Sequence, residues 1–275
     1  MIRIITDSTS EISIEKAKTL NIDVVPLNVI FDNITYKDQH EITVDDFYEK
    51  LEKVTKLPTT SQPSPNEFYE IFKKYEGDTI VGIFLSSKLS GTFQSAFIAK
   101  NMIDNNENIY LIDSNNVTLG IQVLVNEAIR LRDNNESAET IVDTITSLIP
   151  RVKLIAYVDT IKYLKMGGRI SNVKALLSTS LGLSPIIGVD DGNIVSLSKA
   201  KGKIKANKNI LKLIENNPID SSYSVCYGHA SCEGYLNNFI ELHNYSNEYI
   251  INTIGPVIGT HTGPNAYGIA YITKQ

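Results

Sequence analysis

Tryptophan is missing from this 275-residue chain, cysteine occurs only twice and histidine four times. No stretch approaches the roughly 18 uninterrupted apolar residues that span a membrane. Cys226 and Cys232 cannot build a disulfide framework, and MIRIITDSTS enters an apparent strand with neither a basic region nor an apolar core of the signal-peptide kind. A reducing cytoplasm is the expected compartment. Net charge is −5, and there is no basic run beyond the lysines near 199 to 208. With no indole to stack on bases either, the composition argues against nucleic acid as the main partner. G-x-x-x-x-G-K-[ST] and G-x-G-x-x-G are both missing, as are the G-x-S-x-G nucleophile elbow and H-E-x-x-H. ATP binding has no support.

What is present is an alternation of strand and helix. An apolar fraction of 42% supports two domains or one large α/β domain. The first half reads as strands near Ile2–Ile5, Ile22–Phe31, Thr79–Leu85 and Asn108–Ile112. Between and after them come helices near Ile14–Leu20, Thr43–Val54, Ser64–Tyr75, Phe93–Met102, Val117–Arg132 and Ala138–Leu148. Strands separated by helices imply a mostly parallel sheet with polar loops at the strands' C-terminal ends. In the second half, Asp190-Asp191-Gly192 between apolar runs signals a hairpin. A helix is expected over Val173–Leu181, and further strands and helices follow to Thr273. The fold class is thus α/β, with an N-terminal domain (1–150) built on a mostly parallel sheet flanked by helices and a C-terminal domain (151–275) built on a mixed sheet with helices.

Chemistry is concentrated in four polar loops: Asp7–Ser10, Thr59–Ser64, Ser86–Thr92 and Gly259–Pro264. In LSSKLSGTFQSA, an apolar strand runs into a serine-rich loop that opens a helix, and Ser90 is placed to cap it. The free N–H groups of Gly91, Thr92 and Phe93, with the hydroxyls of Ser90 and Thr92, form either an ordinary helix cap or an anion site. Ser90, His261 and Asp7 supply the residue types of a serine hydrolase, but no nucleophile elbow accompanies them. Cys226, His229 and Cys232 offer three ligands, and structural thiols are the better account of them, so no metal is expected. Gly167-Gly168-Arg169 reads as a helix end, or as an arginine pointed at a carboxylate or phosphate.

ITDSTSEIS, TTSQPSP, SSKLSGTFQSA, LIDSNNVTLG, VDTIKYLKMGGRIS, SLGLSPIIGVDDGNI and GPVIGTHTGPNAYG, in that order, resemble the DegV family over essentially the whole chain. The resemblance implies a two-domain α/β fold with a buried fatty acid between the domains. It also implies a non-catalytic subunit that needs no cofactor and carries a long-chain fatty acid such as palmitate for a fatty acid kinase. Its carboxylate would meet Thr60 and Ser90, with Ser61, Gly91 and Thr92 beside them, His261 near the head group, and Arg169 in head-group or partner recognition. Two places depart from the family pattern: Asn265 follows Pro264 where glycine is common, and lysines 199, 201 and 203 stand in a stretch that commonly holds arginine. The apolar wall is expected from the second half, including residues 181–183 and 185–187. The alternative function is a lipid or ester hydrolase using Ser90.

Overall fold

The computed structural model describes residues 1–169 and 182–275, and the helix expected over Val173–Leu181 lies outside them. Strands β1 (Ile2–Asp7), β2 (Ile22–Val25), β6 (Thr79–Phe84) and β7 (Ile109–Asp113) form a four-stranded sheet in the order β2-β1-β6-β7, parallel throughout. Helix α1 (Ile14–Leu20) joins its first two strands. Ile22–Phe31, expected as one run, is broken at Pro26, which has no N–H to donate to a ladder. Leu27 instead donates its N–H to the Ser8 hydroxyl at 3.1 Å. The chain then leaves the parallel sheet as β3 (Asn28–Phe31), which pairs antiparallel with β4 (Ile34–Lys37) and with β5 (Thr59–Ser61). Thr59–Ser61 is therefore a strand where a loop was expected, recruited by the backbone of β3. Helix α2 (Val44–Lys53) lies between β4 and β5, and α3 (Pro65–Lys74) opens on the expected capping box, with Ser64 and Glu67 satisfying each other's backbone N–H groups.

The second sheet has six strands in the order β10-β9-β8-β13-β11-β12. They are β8 (Val152–Tyr157), β9 (Ser184–Asp190), β10 (Asn193–Ala200), β11 (Cys226–His229), β12 (Ile250–Thr253) and β13 (Tyr267–Ile272). Only the β11–β12 pair is parallel. Asp191 and Gly192 have φ of 44° and 73°, the two positive values a two-residue hairpin turn requires.

Between the two sheets runs α5 (Leu119–Asp133), whose sequence LGIQVLVNEAI has no polar stripe of any width, as a helix covered on all sides should. Ile121, Val123, Leu124 and Val125 are all fully buried, at about 1.5–3 kcal/mol each. Around this core lie α4 (Thr92–Lys100) and α6 (Ala138–Leu148), then α7 (Lys162–Met166), α8 (Lys203–Asn216), α9 (Glu233–His243) and α10 (Pro256–Thr262). One apolar cluster includes residues from Ile4 to Ile272 and so crosses from one sheet to the other. Among the described residues, no helix is long and apolar enough to cross a membrane.

Candidate functional site

A cavity opens where the parallel sheet's loops face the six-stranded sheet. Its walls are Leu27, Leu85, Leu89 and Val117 on one side, with Leu154, Ala156, Leu164, Ile187, Ile194, Val257 and Ile258 on the other. Strand periodicity sorts the second group: Leu154 and Ala156 of β8 face the cavity, while Ile155 and Tyr157 point into the core behind. The wall is thus drawn from both halves rather than from the second alone. Ile187 contributes as expected; Leu183, Pro185 and Ile186 are not among the lining residues, and Leu181 lies outside the described residues. The cavity leaves about 120 Å³ for the centres of water-sized groups.

One end is polar. Thr60, Ser61, Ser90, Arg169 and His261 meet there, joined by Gln62 and Thr262, while Thr118 lines the cavity nearer the start of α10. Pairing of Val29 with Thr60 in the β3–β5 ladder sets Thr60 opposite His261, and its Oγ1 lies 2.9 Å from His261 Nε2. His261 was expected in a loop; it occupies the last turn of α10, which Pro256 starts and Gly263, with φ of 71°, ends. Burial and the neighbouring Arg169 cation push its imidazole down to about 4, so it is neutral at pH 7, and Nδ1 is buried without a partner among the described residues. Gly167 lies against that nitrogen so closely that a Cβ would overlap it.

Arg169 follows a helix end of the Schellman type. Gly168 takes φ of 72°, its N–H reaching Lys165 O, while Arg169 N–H reaches Leu164 O. The helix that ends there is the short α7, as the two glycines suggested. Its terminal arginine is turned inward: Nε donates to Leu89 O at 3.2 Å, beside Ser90.

Ser90 is not the N-cap of α4. That position belongs to Gly91, without a side-chain cap, because it is the Gly91 carbonyl that accepts the first helical bond, from Ser95 N–H at 2.9 Å. The Ser90 hydroxyl instead pairs with Thr92 Oγ1 at 2.9 Å and accepts from Thr92 N–H at 3.3 Å. Gly91 and Thr92 lie behind the lining: Gly91 is pressed against the Gln62 amide, and Thr92 is fully buried. Gln62 had a signal in the sequence, since it stands inside TTSQPSP. Thr118 had the same kind of signal, inside LIDSNNVTLG, although its φ of 51° is visible only once folded.

The Asp7–Ser10 loop does not reach the cavity. Asp7 accepts from Thr9 N–H and hydroxyl and from Leu85 N–H, which fastens β1 to β6. A hydrolytic triad is not assembled: the hydrogen bonds of Ser90, His261 and Asp7 go to Thr92, Thr60, and Thr9 with Leu85, not to one another. Behind the wall, Glu11 accepts from Thr118 Oγ1 at 2.9 Å and from Gly255 N–H at 2.8 Å, at the start of α10. Burial raises its carboxyl well above the usual range and that of Asp38 to about 7, which reduces negative charge beside the cavity. Cys226 and Cys232 are free buried thiols, pushed up by burial to about 12 and about 11.

A family model described as "Uncharacterised protein, DegV family" matches residues 1–274. A DegV domain-containing protein of Caldanaerobacter subterraneus is 38% identical over 279 residues, covering 99% of both chains. Among solved structures, a DegV family protein of Thermus thermophilus described by its fatty acid binding superposes with a TM-score of 0.91 at 29% identity, covering 99% of each chain. DegV of Bacillus subtilis, described as a fatty acid binding protein, superposes with a TM-score of 0.88 at 32% identity, over 99% of each chain.

Proposed function

Because the chain belongs to the DegV family, we propose that it binds a long-chain fatty acid, without catalysing its turnover, and presents the carboxylate to the catalytic subunit of a fatty acid kinase. The observation that carries the reading is an apolar cavity with a polar end, where Thr60, Ser90, His261 and Arg169 meet from four distant segments. Fatty acid binding by the similar Thermus and Bacillus proteins supports it. Residues 1–150 and 151–275 are then the two domains that enclose the acyl chain, and the site is cytoplasmic.

The division of labour follows from the side chains. Thr60 and Ser90 donate hydroxyls to the carboxylate with Ser61 beside them, Gly91 and Thr92 support that polar end from behind, and Arg169 supplies positive charge. Neutral His261 holds Thr60 in place. Burial of methylenes contributes about 0.8 kcal/mol each, so affinity comes mainly from the chain and the head group can be held by weak neutral donors. Such donors accept a carboxylate and an acyl phosphate equally well, as a carrier serving a kinase requires. As it stands, the cavity leaves about 120 Å³ for the centres of water-sized groups. A long chain such as palmitate enters with some parting of the walls.

Organic extraction of the purified protein, with mass spectrometry of the extract, tests the reading. A fatty acid in the extract, or binding of added palmitate or oleate, is expected; absence of both overturns it. Titration with carboxylates of increasing length should show affinity rising steeply with each methylene, whereas a site for a small anion gives a flat series. Hydrolysis of a chromogenic ester that disappears in Ser90→Ala would overturn the non-catalytic part.

A further inference from the structure

The β9–β10 hairpin ends against the loop that carries Ser90, although 106 residues separate their points of contact. Ser86 joins them. Its Oγ donates to Gly192 O at 2.9 Å in a buried setting, while its own carbonyl accepts from Leu89 N–H at 3.0 Å and Ser90 N–H at 3.1 Å. Gly192 must be glycine for this approach: a Cβ would stand 2.5 Å from Ser86 Oγ and 2.9 Å from Asn115 Oδ1. Outside this buried contact, Lys88 Nζ donates to the Asp191 carbonyl at 2.7 Å and pairs with its carboxylate. The same hairpin supplies Ile187, Gly188 and Ile194 to the cavity wall. One contact therefore holds the polar end and one apolar wall in register.

We propose that Ser86, Lys88, Asp191 and Gly192 are positioning residues that latch the Ser90 loop to the hairpin and set how fast the ligand leaves. The inference rests on the fatty-acid reading for its ligand. None of the four lines the cavity, so their effect reaches the ligand through Ser90 and the wall. Release of an acyl chain requires the walls to part, and the latch opposes that movement. The Lys88–Asp191 pair is largely exposed, so its loss speeds dissociation about two- to five-fold. Ser86→Ala leaves the Gly192 carbonyl buried without its donor and speeds dissociation about ten-fold or more.

The test is dissociation of a fluorescent long-chain fatty acid into excess oleate, followed by stopped flow in wild type, Lys88→Met, Asp191→Asn, their double variant, Lys88→Arg and Ser86→Ala. Asparagine suits position 191 because it tolerates the left-handed backbone there. Faster release in both single variants, a double variant no faster than either, and wild-type release in Lys88→Arg are expected. Hydrogen exchange at the Leu89 and Ser90 amides of ligand-free protein should quicken in the same variants, and this readout needs no ligand. Unchanged release and exchange, or additive effects in the double variant, overturn the latch. Failure of wild type to bind any fatty acid overturns the fatty-acid reading and the claim about release, while exchange still decides whether the loop is latched.

Discussion

His261 meets Gly167 edge to backbone, and that closeness makes position 167 intolerant of any side chain. Gly167→Ala should displace the imidazole from Thr60, weaken binding of long-chain fatty acid about ten-fold or more by calorimetric titration, and lower the melting temperature. Gly168→Ala, where a Cβ meets nothing within 4 Å but φ is 72°, should cost stability through backbone strain alone and leave affinity nearly unchanged. His261 also ties stability to pH. Its folded value of about 4 lies below the ordinary 6.5, so the unfolded chain binds more protons between those values and the contribution is lost as pH falls from 6.5 towards 4. His261→Gln should remove that part of the dependence. The difference between the denaturation free energies of wild type and variant should shift by roughly 1–3 kcal/mol across the window if the imidazole is buried and neutral. No shift across it would contradict the buried, neutral assignment.

Helices were legible in sequence because their ends are chemical. Ala138–Leu148 starts after a serine cap at Ser137 and has the expected bounds, and α3 carries the capping box read from Ser64-Pro65-Asn66-Glu67. Ser64→Ala should therefore cost about 1 kcal/mol, a fall of roughly 2–4 °C in melting temperature measured by circular dichroism. Asp191-Gly192 announced its hairpin for the same reason, since positive φ at two consecutive residues selects few residue types. Strand edges set by distant partners, and the cap of α4, were not legible. Thr59–Ser61 is a strand only because β3 lies beside it, and the cap position falls to Gly91 rather than Ser90 because the helix ladder starts from the Gly91 carbonyl. Asn265, standing where glycine is common, takes φ of 64°, a left-handed geometry that asparagine tolerates.

At the scale of the whole molecule, α5 couples the parallel sheet to the six-stranded one through a buried amide pair. Gln122 Nε2 donates to Asn252 Oδ1 at 2.9 Å, and Asn252 Nδ2 donates to Gln122 Oε1 at 2.7 Å. Gln122→Leu leaves Asn252 partly unsatisfied inside the core and should cost about 1–3 kcal/mol in urea denaturation. Replacing both residues by leucine should recover part of that loss, because neither amide is then stranded and only the 3.2 Å bond from Asn252 Nδ2 to Tyr227 O is given up. A double variant as unstable as the sum of the single ones would show that the pair acts independently.

By itself, the sequence determined most of the longer helices, where the hairpin turns and that the fold is α/β. Those properties depend on periodicity and on neighbours within a few residues, and both are written along the chain. Tertiary structure alone decided which polar blocks share a site. It sent Asp7–Ser10 into the β1–β6 junction, turned Arg169 from a helix end towards Leu89, and set His261 on Thr60 across 201 residues. Contacts over such separations are set by how the sheets and α5 pack together, and no local pattern in the chain encodes that packing.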